Sequence, residues 1–159
     1  MPSRNERPSF ENNWRNDIAE IVMESHEHLL GSPILVDDNK FSSRSEALFN
    51  LRYAVLVHDT QPDPIFCYGN LAALKIFEYE WEGLLRVPSR KSAEQTEQSN
   101  RAKTMQKVQK TGYAESYSGV RVSSSGRRLL IQNTTIWNLI DTTQKPLGQA
   151  ALIKEYRYL

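Results

Sequence analysis

The chain has 159 residues, 39% of them hydrophobic and 25% charged, which is the size of one domain and enough to bury a core without disulfides or a structural metal. Lys and Arg number 20 against 19 Asp and Glu, so no net field draws the protein to a polyphosphate or an anionic bilayer, and neither nucleic acid nor a membrane is expected as a partner. Cys67 is the single cysteine, no signal-peptide pattern opens the chain, and no apolar run nears the roughly 18 residues of a spanning helix, so a cytoplasmic protein is expected.

Residues 1–8, MPSRNERP, read as a disordered tail ahead of a single domain over 9–159. From Ser9, the residues Phe10, Trp14, Ile18, Ile21, Val22, Ser25 and Leu29 recur every three or four positions, laying an apolar stripe on one helix that Gly31 and Pro33 stop. That stripe must be covered, either by the protein's own sheet or by the same helix of a second copy, and spacing does not choose between them. Ser43 and Glu46 have capping-box spacing ahead of a short helix with Leu48 and Leu51.

Tyr53 to His58 and Ile65 to Tyr68 are strand candidates, joined by Thr60-Gln61-Pro62-Asp63-Pro64 as a hairpin loop. Asn70 caps a helix whose face is Leu71, Ala73, Leu74 and Phe77; Trp81, Leu84 and Leu85 mark a further helical turn. After Pro88, Ser92 and Gln95 repeat the capping-box spacing before a helix with Ala102, Met105 and Val108 inward, ended by Gly112. Three strands follow: Tyr113 to Val122; Arg127 to Ile140, with Leu129, Ile131, Asn133, Thr135, Trp137 and Leu139 on one side; and Gly148 to Tyr156, with Ala150, Leu152 and Tyr156 on one face. Two strands, a helical crossover of roughly forty residues and a three-stranded meander predict an α+β domain. The last strand can dock beside the first, giving a five-stranded antiparallel sheet with the crossover helices on one face and an extra N-terminal helix.

Several separated blocks carry a resemblance: Glu24-Ser25 with Leu30-Gly31, Pro64-Ile65-Phe66 with Tyr68-Gly69-Asn70-Leu71-Ala72-Ala73-Leu74, Pro88-Ser89-Arg90 with Ser92-Ala93-Glu94, Tyr117-Ser118-Gly119-Val120-Arg121, Ser125-Gly126-Arg127-Arg128, Trp137-Asn138-Leu139 and Gly148-Gln149-Ala150. Through them the chain resembles a MEKHLA domain, a branch of the PAS superfamily, over most of residues 10–159. The resemblance implies a PAS-like sheet with helices over a cavity, and a role in sensing or protein interaction. A fainter likeness is to the flavin-binding LOV branch, whose Asn-Cys-Arg motif corresponds to Pro88-Ser89-Arg90. Ser89 lacks the thiol chemistry of a photochemical adduct, so that cycle is not expected, while non-covalent flavin or another planar ligand stays open.

Other polar residues read as ordinary. His26 and His28 are about 200° apart on a helix and cannot chelate one ion, so both read as surface residues. His58 beside Asp59 reads as a strand-end histidine, Cys67 as a small inert hydrophobe, and Asp37, Asp38 and Asp63 as turn carboxylates. Arg121, Arg127 and Arg128, with Arg101, Lys103, Lys107 and Lys110, are interrupted by Glu94, Glu97 and Glu115 and read as solvated surface. No catalytic or metal-binding residue is assigned. Burying the strand amides Asn133, Asn138 and Gln149 demands partners, which makes them binding candidates alongside Ser89 and Arg90, with Phe77, Trp81, Met105, Tyr117 and Trp137 as lining. The function expected is a small-molecule or protein-binding sensor with no output domain of its own, pairing with a second copy or a partner through the N-terminal helix. The alternatives are a ligand-free dimerisation module and an enzyme on a cone-shaped α+β fold.

Overall fold

A computed structural model describes residues 5–34, 39–94 and 98–159; Asp37, Asp38, Gln95 and Glu97, read above from their spacing, lie outside the described residues. Five strands, β1 Ala54–His58, β2 Phe66–Gly69, β3 Tyr113–Val122, β4 Arg128–Ile140 and β5 Pro146–Tyr158, form one antiparallel sheet in the order β2-β1-β5-β4-β3. The last strand thus lies between the first and the fourth, as the strand pattern predicts. The helices are α1 Asn16–Leu30, α2 Arg44–Phe49, α3 Leu71–Ile76, α4 Trp81–Leu84 and α5 Gln98–Thr111.

Both faces of the sheet are covered. On one face α1 lies against β4, where the Trp137 indole N–H donates to Val22 O at 3.1 Å and the Ile140 N–H donates to Ser25 Oγ at 3.2 Å. Because neighbouring residues of a strand point to opposite faces, Ile136 and Ala151 look the other way, toward α3 and α5. The apolar stripe of α1 is therefore covered by the chain's own sheet, and the same helix of a second copy is not what buries it. Its outward residues are Asn16, Asp17, Glu20, Glu24, Glu27 and His28, a largely acidic row.

The stripe also starts later than its spacing predicts. Phe10–Arg15 is a 3-10 turn in which Asn13, Trp14 and Arg15 have φ of 55°, 55° and 51°, a left-handed run that L residues adopt only against a steric cost. Asn12 holds it: its Oδ1 accepts from the Ser9 and Arg15 amides at 3.0 and 3.1 Å, and its Nδ2 donates to Arg7 O at 2.8 Å. A side chain that captures backbone groups in this way competes with helix formation. Phe10 consequently points outward and is 77% exposed. Residues 5–8, expected as part of a tail, are instead held down: Asn5 O accepts from the Trp81 indole at 2.9 Å, Glu6 O from buried Arg15 at 2.8 Å, and the Arg7 guanidinium lies over Phe49.

A second departure occurs in β4. The expected side of Leu129, Ile131, Asn133, Thr135, Trp137 and Leu139 does not persist, because Asn133 adopts φ 49° and the β3–β4 register slips around Tyr117 and Thr134. Ile131 faces the crossover helices, but beyond the slip Thr134 and Ile136 take that face while Trp137 turns to α1. A one-residue change of phase moves every later side chain across the sheet.

The Asn70 side chain is fully buried and ties three elements together. Its Oδ1 accepts from the Val55 and Ala73 amides at 2.9 and 3.1 Å, and its Nδ2 donates to Leu48 O and Tyr53 O at 3.1 and 2.8 Å. It caps α3, as its position predicts, and also fastens α2 and the entry to β1. Replacing it with alanine strands buried donors and acceptors on all three, each costing about 1–3 kcal/mol. Asn70→Ala is expected to lower stability by at least about 3 kcal/mol in urea unfolding, while Asn70→Asp, which keeps the two acceptor contacts, loses part of that.

Candidate functional site

Between the sheet and the crossover helices lies a cavity of about 50 Å³. Its apolar wall comes from Leu56, Phe66, Phe77, Met105, Ile131, Ile136, Ala151 and Ile153, and its polar groups are His58, Ser89, Ser92, Arg101, Arg121, Thr134 and Gln149. The sheet's close packing places Gln149 here. Gly148 sits at φ 145°, and a Cβ on it would lie 2.3 Å from His58 O, so only glycine lets β5 approach the end of β1 at this point.

That approach assembles a polar relay. His58 Nε2 is 3.3 Å from Gln149 Oε1, Gln149 Nε2 donates to Asn138 Oδ1 at 3.2 Å, and Asn138 Nδ2 donates to Val108 O of α5 at 3.3 Å. The other imidazole nitrogen, Nδ1, is 2.9 Å from Asp59 O. A neutral imidazole has one N–H and cannot donate to both oxygens. Burial holds the His58 pKa below the ordinary value, and the Arg101 charge pushes the same way, against the raising effect of its bonds to Asp59 O and Gln149 and of the Asp59 charge. The Asp59 carboxylate serves the loop instead, accepting from the Ile65 and Gln61 amides at 3.0 and 3.2 Å.

On the opposite wall, Arg101 Nη2 donates to Ser89 Oγ at 3.2 Å, and Ser92 Oγ donates to Ser89 O at 2.7 Å. Arg101 Nε is buried with no hydrogen-bond acceptor among the described residues, and burial lowers the pKa of this guanidinium. Arg121 lies behind, with Nη2 3.5 Å from the Tyr117 hydroxyl and its guanidinium against that ring.

Of the residues proposed from sequence, Ser89, Gln149, Phe77 and Met105 line the cavity, and Asn138 stands one hydrogen bond away through Gln149. Arg90 is turned outward into an exposed ion pair with Asp63 at 3.0 Å, because the turn Ser89–Ser92 is 3-10 and places consecutive side chains on different sides. Asn133 is exposed at the strand irregularity. Trp81 is buried against Tyr68 with its N–H on Asn5 O, Tyr117 stands behind Arg121, and Trp137 is on the α1 side. The polar lining residues missed are His58, Ser92, Thr134 and the two arginines. The inward row of α5 is Arg101, Met105 and Val108 rather than Ala102, Met105 and Val108, and Ala102 is exposed. The 101, 105, 108 spacing is equally helical, but reading for apolar residues passes over a guanidinium. His26, read as a surface residue, is buried edge-on to Trp137 with Nδ1 2.8 Å from Ser32 O.

These residues do not fit a flavin. The cavity, at about 50 Å³, is far below the roughly 300 Å³ at which cofactor pockets begin, and Ser89 stands in place of the reactive thiol. Among the described residues no His, Cys, Asp and Glu cluster has metal-binding geometry, and no helix is long and apolar enough to cross a membrane.

The MEKHLA domain family matches residues 16–158. Over 130 residues the chain is 25% identical to the homeobox-leucine zipper protein REVOLUTA of Arabidopsis thaliana, a stretch covering 80% of this chain and 15% of that protein. The chain therefore spans a small part of that relative's length. Among solved structures, a PAS domain from Colwellia psychrerythraea superposes with a TM-score of 0.61 at 14% identity, covering 70% of this chain and 92% of the other. A light-oxygen-voltage domain described in work with a flavin analogue gives 0.58 at 14% identity, covering 77% and 88%. At these identities the likeness is one of fold.

Two histidines, His26 buried and His58 half-buried, give the stability a pH dependence. Burial lowers the pKa of both His26 and His58 from the ordinary 6.5, so below that value the unfolded chain takes up protons that the folded chain resists. Their contribution is present above pH 6.5 and is lost as pH falls through the folded values, by up to about 1.4 kcal/mol per pH unit for each histidine. Urea unfolding between pH 6.5 and 5, above the carboxylate range, is expected to show this loss, and His58→Gln to remove its share of the slope.

Proposed function

The chain belongs to the MEKHLA domain family, and on that premise we propose that it is a sensory signalling domain whose cavity takes up a small molecule and whose helices report occupancy to a protein partner or a second copy. The observation that carries this reading is a cavity furnished with His58, Ser89, Arg101, Arg121 and Gln149 in the middle of an otherwise packed apolar core. Buried polar groups are costly without partners, and the unpartnered Nε of Arg101 has a use once a ligand supplies an acceptor. The relay from His58 to Val108 O joins β1, β5, β4 and α5, so a ligand that contacts Gln149 acts on the packing of α5. Such a ligand shifts the population of helix arrangements by its differential affinity for them.

The role is proposed as non-enzymatic: His58 is engaged by Asp59 O and Gln149 Oε1, the Asp59 carboxylate is engaged in the loop, and Ser89 Oγ accepts from Arg101. A reducing, cytoplasmic setting belongs to the same proposal and is supported by the presence of one cysteine in the sequence. The small volume of the cavity favours one competing reading, a ligand-free interaction module that uses the same helices as a fixed surface.

Ala151 lines the cavity, and Ala151→Leu separates the two readings. Under the sensor reading, native mass spectrometry of the freshly purified protein shows a bound small molecule that Ala151→Leu excludes, and hydrogen exchange in α5 slows when the molecule is present. A bare chain mass, no thermal shift with any member of a metabolite panel, and a simple gain in stability on filling the cavity would establish the ligand-free module instead.

A further inference from the structure

We propose that the cavity is selective for a small organic acid, with the carboxylate received by Arg101 and Ser89 and the hydrocarbon body lying on Ile131, Ile136, Ile153 and Phe77. This rests on the reading of the cavity as a ligand site and adds the chemistry of the ligand.

The polarity of the cavity argues for it. Among the described residues its charged lining is Arg101 and Arg121, with His58 as the further ionisable group, and none of those lining it is a carboxylate. The ion pairs among the described residues, Arg15–Asp17, Arg90–Asp63, Arg127–Glu78 and Arg128–Glu94, leave Arg101 out. Arg101 uses Nη2 on the neutral hydroxyl of Ser89 and buries Nε without an acceptor. A guanidinium in partial burial is stabilised best by an anion that takes two parallel N–H bonds, a geometry a carboxylate offers and an amide or alcohol does not. The Ser89 hydroxyl proton is free to turn toward the same oxygen, since its oxygen is already the acceptor of the Arg101 bond.

Size limits the acid. About 50 Å³ is space for about four waters or for the few heavy atoms of a short-chain acid, and the opposite wall is hydrocarbon. A carboxylate at one end and a short apolar chain at the other match that division. The positive setting also acts on His58, whose protonation Arg101 opposes; a carboxylate between them cancels that repulsion, so binding is accompanied by proton uptake at mildly acidic pH. Asp59, whose side chain faces the loop, and the neutral amide of Gln149 are the other groups against His58.

The test compares propionate, butyrate and valerate with propionamide, butyramide and valeramide at pH 7 and matched ionic strength, by isothermal titration and by the NMR signal of the Arg101 Nε–H. At least one acid is expected to bind at least about tenfold more tightly than its amide and to move that signal. Arg101→Gln is expected to abolish the preference, while Arg90→Gln, which alters an exposed ion pair outside the cavity, leaves it intact. Equal binding of acids and amides, or a preference that survives Arg101→Gln, overturns the acid proposal and leaves the cavity reading standing. Binding of neither series, with the Arg101 signal unmoved, overturns both. The comparison within the unsubstituted protein decides the matter even where Arg101→Gln fails to fold.

Discussion

The pairing of β5 with β1 on one side and β4 on the other is the constraint on which the rest of the structure depends. Ala54 to His58 lie opposite Ile153 to Gln149, and Leu129 to Ile140 run antiparallel to the same strand from Tyr158 to Pro146. This pairing joins an early hairpin to a late meander, and it puts β5 in the middle of the sheet, where both of its faces need cover. Leu152 therefore goes to the α1 side and Ile153 to the cavity side. Long-range pairing of this kind is entropically costly to form, and burial on two faces is what offsets it.

The cavity follows from how that sheet is covered. Helix α5 approaches with Arg101 and Met105 inward, and an arginine cannot fill space beside Ile131 and Ile136 in the way that a leucine would. The short helices α3 and α4 bring Phe77, Leu84 and Trp81 into the core but stop short of the arginine end. What remains is a small space whose polar groups come from the crossover, as Ser89 and Arg101, and from the sheet, as His58, Arg121 and Gln149. Gly148 brings β5 against His58 O, so the imidazole, two amides and a backbone carbonyl of α5 fall into one line. That line joins α5 to the sheet through hydrogen bonds.

The site was only partly legible in advance. Gln149 and Asn138 stood out because amides on strands must find partners, and they find each other. Met105 followed from its place on the apolar face of the crossover helix, and Ser89 from the likeness of Pro88-Ser89-Arg90 to the LOV motif. Arg90 was indistinguishable in sequence from its inward neighbours, since the tight 3-10 turn that points it at Asp63 leaves no mark in residue type. Arg101 was hidden among Lys103, Lys107 and Lys110, which share its charge but lie on the outer faces of α5. Only the rotation of the helix about its axis separates a solvated cation from one facing a cavity, and that rotation is set by packing.

Local rules carried in the sequence were sufficient for the elements, the caps at Ser43 and Asn70, the hairpins and the strand order, because periodicity, capping side chains and turn residues act between neighbours. The fate of α1 was decided at the tertiary level: the stripe is the same whether a sheet or a second copy covers it, and the Trp137 bond to Val22 O exists only in the folded chain. The slip at Asn133 was likewise decided there, since a left-handed residue inside a strand becomes affordable only when the strands on either side hold it. Phase, rotation and choice of partner surface are properties of the assembled layers, and a chain read along its length does not contain the distances that decide them.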